Sequence, residues 1–446
     1  MHRRSFVRQS AALAGGLAMN PWKQEVSETL EILNPRNRVP ISFIIDDSTA
    51  LVNLAHYGIP QFQEVFPDNY TQDWRKLPRE IPDSFVNEFL DWCESHGVKG
   101  KYSMVPYPAC TGWLNRFIPG WTTKELEKSI RLIREKAQPN WDIHPEMISH
   151  TRVIDIKTGL PYPDATPDYM ENWEWSQNRS ADELGEYLAY ALQILKDTDL
   201  YCEGVTTPGG FASQNIPNLA RATQMAVKEV YGADVAHYFR DLFTTLDHSV
   251  APQVSDGRDL NGNNPSCSVH IIGCTGDWFG GWDGLTPGDP DRFITEDLST
   301  GRMVDVIDSG EPAIMVCHWP GIYYNGDRLG FNIFKTVVNR LQEKYGHLNW
   351  MKLSEIARYW AAKEYTKVGT HPTRIEFTAP FATTDFTVRT SRTFRNVSLQ
   401  NGDGEIPLIR VPTLDQLKSN SWYSDGRETW ICFDLQRGKN VVSSGS

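Results

Sequence analysis

The segment that most restricts the fold is Ile41-Ser-Phe-Ile-Ile45, a β-branched apolar run that ends abruptly in Asp46 and Asp47. A continuous apolar run of strand length has no polar face, so it belongs in a sheet covered on both sides, and such sheets are parallel. The texture returns at Lys101-Tyr-Ser-Met-Val105, at Trp141 to Ser149, ahead of Thr206, and at Ala313-Ile-Met-Val-Cys317, which runs into His318. Between these runs the period changes. Ser84 to His96 carries Phe85, Phe89, Leu90 and Cys93 at helical spacing and stops at Gly97. Thr122 to Lys136 opens on a capping box, as does the helix after Ser180-Ala-Asp-Glu183, whose Leu184, Leu188, Leu192 and Leu195 share one face. Phe331 to Tyr345 and Ser354 to Lys363 are also amphipathic. Strands alternating with helices predict an α/β fold of βαβ units, a parallel sheet or barrel.

Three segments follow from changes in texture. Residues 1–30 contain Arg3, Arg4 and Phe6 followed by a short, mildly apolar stretch from Ala11 to Met19, which resembles a twin-arginine export signal. That stretch is too short to span a membrane, and the resemblance implies a periplasmic or extracellular destination. Residues 36–365 hold the alternating strands and helices. Beyond them the chain turns to Thr-rich alternating segments with an Asn401-Gly402 turn, which predicts a small antiparallel β domain over 366–446. Ser255 to Pro265, rich in Asp, Gly and Asn, is read as a loop.

Composition narrows the partners. Against 44 Lys and Arg stand 56 Asp and Glu, a net charge of −12, which is the wrong sign for a surface that neutralises phosphates. Nucleic acid and anionic membrane are therefore not expected partners. The 15 Trp, 17 Tyr and 19 Phe exceed what a core needs and suit a cleft for carbohydrate, an apolar ligand or a partner protein. The seven cysteines form no C-x-x-C pair, so no zinc knuckle is expected. Cys267 and Cys274 could close a short loop in an oxidising compartment.

In parallel α/β architectures the site lies at the C-terminal ends of the strands. Collecting the residues that end the predicted strands gives Asp46, Asp47, His150 and His318. A carboxylate and an imidazole suit a first-row metal ion, a second carboxylate can act as general base on water, and a distant histidine can protonate a leaving group.

These residues, in this order, resemble the polysaccharide deacetylase family, the NodB-homology fold, a distorted and incomplete (β/α) barrel that removes acetyl groups from amino sugars with one divalent metal. Phe43-Ile-Ile-Asp-Asp47 is similar to that family's Thr-Phe-Asp-Asp motif, which implies Asp46 as base and Asp47 as metal ligand. Glu146-Met-Ile-Ser-His150-Thr151 resembles the start of the second motif, His-Ser/Thr-x-x-His, and implies His150 as a ligand. Gly204-Val-Thr-Thr-Pro208-Gly-Gly210 stands where the family has Arg-x-Pro, and Ile314-Met-Val-Cys-His318 matches the closing motif, whose histidine is the general acid. Trp350 to Trp360 resembles the helix that ends these domains.

Two departures are visible. Ile154 occupies the place of the second motif's other histidine, with Asp155 and His144 the nearest substitutes, and Thr206 occupies the place of the third motif's arginine. The resemblance thus implies a hydrolase of acyl or amide C–N bonds with one divalent ion, zinc by expectation, held by Asp47, His150 and Asp155 or His144. Pro208, Gly209, Trp278 and Trp319 are the expected substrate contacts, and the amides near Gly209 and Gly210 the expected oxyanion donors. Two alternatives keep the fold: a carbohydrate-binding pseudoenzyme using Trp173, Trp175, Trp278 and Trp282, and a hydrolase of a small non-glycan amide.

Overall fold

The computed structural model describes residues 29–444, so the twin-arginine-like segment lies outside the described residues. Seven parallel strands form the centre: β1 (Val39–Asp46), β2 (Gly100–Ser103), β3 (Trp141–His144), β4 (Gly204–Thr206), β5 (Val235–Leu242), β6 (Ser266–Gly273) and β7 (Ala313–His318). Every residue of β1, β2 and β3 is buried, as the apolar run of β1 requires, and β2 and β3 also enclose the polar Lys101, Ser103, Asp142 and His144.

The strands make two sheets rather than one continuous ladder. One runs β7-β1-β2-β3, with the short strand Leu348–Trp350 also parallel to the start of β1, and the other runs β4-β5-β6 with an antiparallel strand on the outer edge of β6. Few hydrogen bonds join them: Thr206 N donates to Pro145 O at 3.0 Å on one side, and Cys274 N to Ile314 O at 2.9 Å on the other. The expected barrel is therefore an α/β arrangement with two open seams.

Helices Asp83–Ser95, Thr123–Leu132, Ala181–Lys196, Leu329–Lys344 and Leu353–Tyr365 cover the sheets. Both predicted capping boxes form, at Thr122 with Glu125 and at Ser180 with Glu183, and Leu184, Leu188, Leu192 and Leu195 are all buried. The periodicity missed Leu54–Val65, Ile216–Tyr231 and Arg302–Ser309. The Ser255–Pro265 stretch read as a loop begins instead within a strand, Gln253–Arg258, antiparallel along β6. Its Ser, Asp, Gly and Arg have little strand propensity; the ladder to a buried neighbour overrides it. All seven cysteines are free. Cys267 stands at the start of β6 and Cys274 just past its end, about 23 Å apart at ~3.3 Å per residue, which excludes the short loop closure.

The C-terminal region is β-rich, two five-stranded sheets around Phe377, Phe386, Val388, Ile431 and Phe433. One of its strands comes from the other end of the chain: Leu30–Ile32 pairs antiparallel with Thr383–Thr390. Helix Leu353–Tyr365 joins the two bodies. Its Leu353, Ile356, Ala357 and Ala361 pack on β5 and β6, while Tyr359 and Ala362 enter the β core.

Candidate active site

The strand ends do converge. Asp46 closes β1, and the next residue, Asp47, takes a left-handed backbone at φ 59° that turns its side chain back over the sheet. Beyond β3, Met147 (φ 55°) and His150 (φ 68°) are also left-handed. This tight, non-helical turn folds Glu146 and His150 onto the same point. Non-glycine residues in this region cost on the order of 1–3 kcal/mol each, and such strain concentrates at functional sites.

His150 Nε2 lies 3.0 Å from Asp47 Oδ1, and its Nδ1 3.2 Å from Glu146 Oε2. Glu146 Oε1 accepts the Asp47 backbone N–H at 3.1 Å and the Ser103 hydroxyl. Lys101, from β2, has no exposed side-chain surface; its ammonium donates to Asp46 Oδ1, to Ile45 O at 3.1 Å and to Ser103 Oγ, with Glu146 Oε1 at 3.4 Å. On the facing side His318 Nδ1–H donates to Asp277 Oδ1 at 2.6 Å.

Electrostatics divide the roles. Burial lifts the Asp46 carboxyl to about 7 against the pull of Lys101. Burial also raises Asp47, with His150 and His318 opposing. Burial would raise Glu146 too, but Lys101 and His150 outweigh it and hold this carboxyl well below its ordinary range. For His150 burial is overcome by Asp47 and Glu146, which lift the imidazole to about 9, and for His318 by Asp277 and Asp47, which lift it well above its ordinary value.

A cleft of about 420 Å³ opens over these groups, lined by Asp47, His150, His318 and Gly209 with Tyr70, Trp173 and Trp282 among its walls. Asp46 sits behind the lining, its side chain 12% exposed. Donor atoms of Asp47, Glu146 and His150 lie within 4.8 Å of one another. Asp47 Oδ1 and His150 Nδ1 are buried without a well-directed hydrogen bond among the described residues. Two carboxylates and an imidazole gathered this closely are a donor set that fits a divalent first-row ion.

Several expected site residues lie elsewhere. His144 ends β3 but points across the seam: its Nε2 is 2.8 Å from His237 Nε2 and its Nδ1 3.2 Å from Thr206 Oγ1, buried away from the cleft. Asp155 lies in a two-strand hairpin, where its carboxylate accepts the Lys157 N–H at 2.9 Å, a turn cap rather than a ligand. Trp278 and Trp319 are fully buried. Trp278 stacks on Phe279, and Trp319 packs against Phe85, Phe89 and Tyr102, so neither reaches the cleft. Pro208 is buried, whereas Gly209 is exposed and lines the cleft. Gly210 N donates to Asn172 O at 2.6 Å, which removes that amide from the expected oxyanion donors. Of the tryptophans, Trp173 and Trp282 line the cleft, and Trp175 packs on Tyr187.

The sequence reading missed Glu146, Lys101 and Asp277. Glu146 precedes His150 by four residues, the spacing of the second motif counted backward from His150 rather than forward to Ile154. Lys101 read as strand interior, and Asp277 lies in a loop without periodicity.

No family model matches the chain, and no curated protein matches it. Among solved structures, similarity extends to a probable polysaccharide deacetylase from Pseudomonas aeruginosa PAO1, at 10% identity and a TM-score of 0.35, covering 73% of this chain and 91% of that one. Puue allantoinase aligns at 11% identity and a TM-score of 0.39, covering 74% and 91%. A CE4 family pseudoenzyme from Bacillus anthracis aligns at 10% identity and a TM-score of 0.28, covering 72% and 66%.

Proposed function

We propose that this cleft hydrolyses an acyl–nitrogen bond of an acylated carbohydrate or related small substrate. The observation that carries the reading is the meeting at one opening of a carboxyl poised near neutrality, a carboxylate-paired imidazolium and an Asp–Glu–His donor set. Asp46 accepts a proton from water as the water oxygen bonds to the carbonyl carbon. The C–N bond then breaks, and His318 gives its proton to the departing nitrogen, with Asp277 holding the imidazolium in place. Asp47, Glu146 and His150 would hold a divalent ion, whose chemistry there is to polarise the carbonyl and acidify water. Tyr70, Trp173 and Trp282 offer flat apolar walls to a sugar or other ring. No helix among the described residues is long and apolar enough to cross a membrane, and the paired arginines support export before action.

The test is release of acetate from N-acetylated sugar oligomers, and ring opening of small cyclic amides, by protein stripped of metal and reloaded with zinc, manganese or cobalt. Turnover that appears on reloading and disappears in Asp46→Asn supports the reading; no turnover under any loading, with no bound ion, overturns it.

One observation favours a second reading, carbohydrate binding without turnover. Glu146 is already engaged by Lys101, Ser103 and the Asp47 amide, which competes with an ion for its oxygens. Glycan binding that survives chelation, without hydrolysis, would select it.

A further inference from the structure

Lys101 is the most completely enclosed charge at the site, and the hydrolytic steps above leave it without a role. It stands on β2 opposite Ile44 of β1, one step from the end of the sheet, with none of its side chain exposed. An ammonium removed from water persists only where acceptors surround it. Here those acceptors are specific: Asp46 Oδ1, the Ile45 carbonyl at 3.1 Å and Ser103 Oγ, with Glu146 Oε1 at 3.4 Å. Two belong to the end of β1 and one to the turn that carries His150. The lysine therefore ties the proposed base to the residues that would hold the ion.

Its effect on Asp46 is directional. A carboxylate at a strand end can rotate, and Asp46 has two negative neighbours, Asp47 and Glu146, to turn away from. Lys101 holds one oxygen, Oδ1, and the Asp46 side chain as a whole keeps 12% exposure just behind the cleft lining. One oxygen is fixed by the ammonium and the other is left outside that bond.

We propose that Lys101 is the positioning residue of this site, acting through Asp46 by holding one carboxylate oxygen so that the other faces the attacking water. The inference rests on the hydrolase reading for its catalytic consequence, but the held carboxylate can be tested without turnover.

The experiment compares wild type, Lys101→Met, Asp46→Asn and the double variant in the full chain. On a hydrolysed N-acetyl substrate, Lys101→Met is expected to lower kcat at least about 100-fold with KM within about threefold, and the double variant to fall no further than Asp46→Asn. Additive losses, or a loss confined to KM, would overturn the proposal. Urea unfolding of the same four proteins gives the second readout: each single variant lowers the midpoint, and the double recovers part of the Lys101→Met loss because no charged Asp46 is left unpaired. If Lys101→Met does not fold, Lys101→Arg and the double variant carry the comparison, with Lys101→Arg expected to retain more kcat than the double. If wild type turns over nothing, the hydrolase reading fails alone. The unfolding cycle then decides: coupling supports the held carboxylate, and additivity overturns it.

Discussion

At the residue scale, the site pairs each reactive group with a partner that sets its state. His318 is held protonated chiefly by Asp277, with Asp47 adding to the effect. Loss of the acid removes a proton that only the transition state requires, so His318→Gln should lower kcat by about 10²- to 10⁴-fold with little change in KM. Asp277→Asn keeps the ring but weakens its orientation and charge, and a smaller loss is expected. Steady-state kinetics at fixed pH separate the two, and a larger effect at Asp277 would contradict the assignment. Asp47→Ala removes one of three ion donors, so bound divalent metal per chain, measured after loading and dialysis, should fall to background. Asp46, Asp47 and His318 were legible as residues at strand ends, because a strand end has a recognisable texture; His150 was read the same way, but its strand stops at His144 and it lies in the turn beyond. Lys101 and Glu146 were not: Glu146 carries the motif spacing only when it is counted backward from His150, and Lys101 joins the site through side chains meeting across β1 and β2, which no spacing rule encodes.

At the element scale, two structures shape the cleft and its support. The Pro208-Gly-Gly210 turn packs directly on Asn172 and Trp173. A Cβ on Gly210 would come within 2.9 Å of Trp173 Cε3 and 3.1 Å of Asn172 O. Gly210→Ala should therefore displace the Trp173 wall and weaken ligand binding about tenfold or more, with a smaller effect on thermal stability. A binding constant unchanged by the substitution would show that this wall does not contact ligand. Beneath the turn, the seam between β3 and β4 contains His237, fully buried and pushed by burial down to about 3. Around it lie His144 at 2.8 Å and Asp142 at 4.0 Å; the Glu203 backbone carbonyl accepts the His237 backbone N–H, and the charges of Glu203, Arg358 and Lys352 act on it from further away.

The sign of the pH effect follows from this depressed value. Between pH 6.5 and pH 3 the unfolded chain binds a proton at this position that the folded protein refuses, so stability is intact above about 6.5 and lost as pH falls. One such group accounts for about 1–2 kcal/mol between pH 7 and pH 5. Urea midpoints at the two pH values should show a smaller drop in His237→Gln than in wild type; equal drops would place the titration elsewhere.

At the scale of the whole molecule, the two bodies share chain and core. The alternating texture after residue 365 made the β region legible, and the strand-helix alternation made the α/β body legible. What the sequence did not show is that the β region needs residues from before β1. Leu30–Ile32 has no strong strand signal of its own; it becomes a strand because Thr383–Thr390 offers an open edge, which pairing covers. The joint is fixed further by Tyr359, whose hydroxyl donates to Leu33 O at 2.8 Å and accepts from Thr387 N at 3.1 Å. Tyr359 and Ala362 are fully buried, partly against Phe386 and its neighbours. A chain ending at residue 365 would expose this face of the helix, leave Leu30–Ile32 without its partner strand and take the Thr387 donor away from the Tyr359 hydroxyl. Exposed apolar surface of that kind drives aggregation. The truncated chain should be recovered mainly as aggregate, while the full chain is soluble, as read by size-exclusion chromatography of the two expressed side by side. A monodisperse, cooperatively melting truncation would show that the α/β body folds alone and that the β region is an independent module rather than part of one structure.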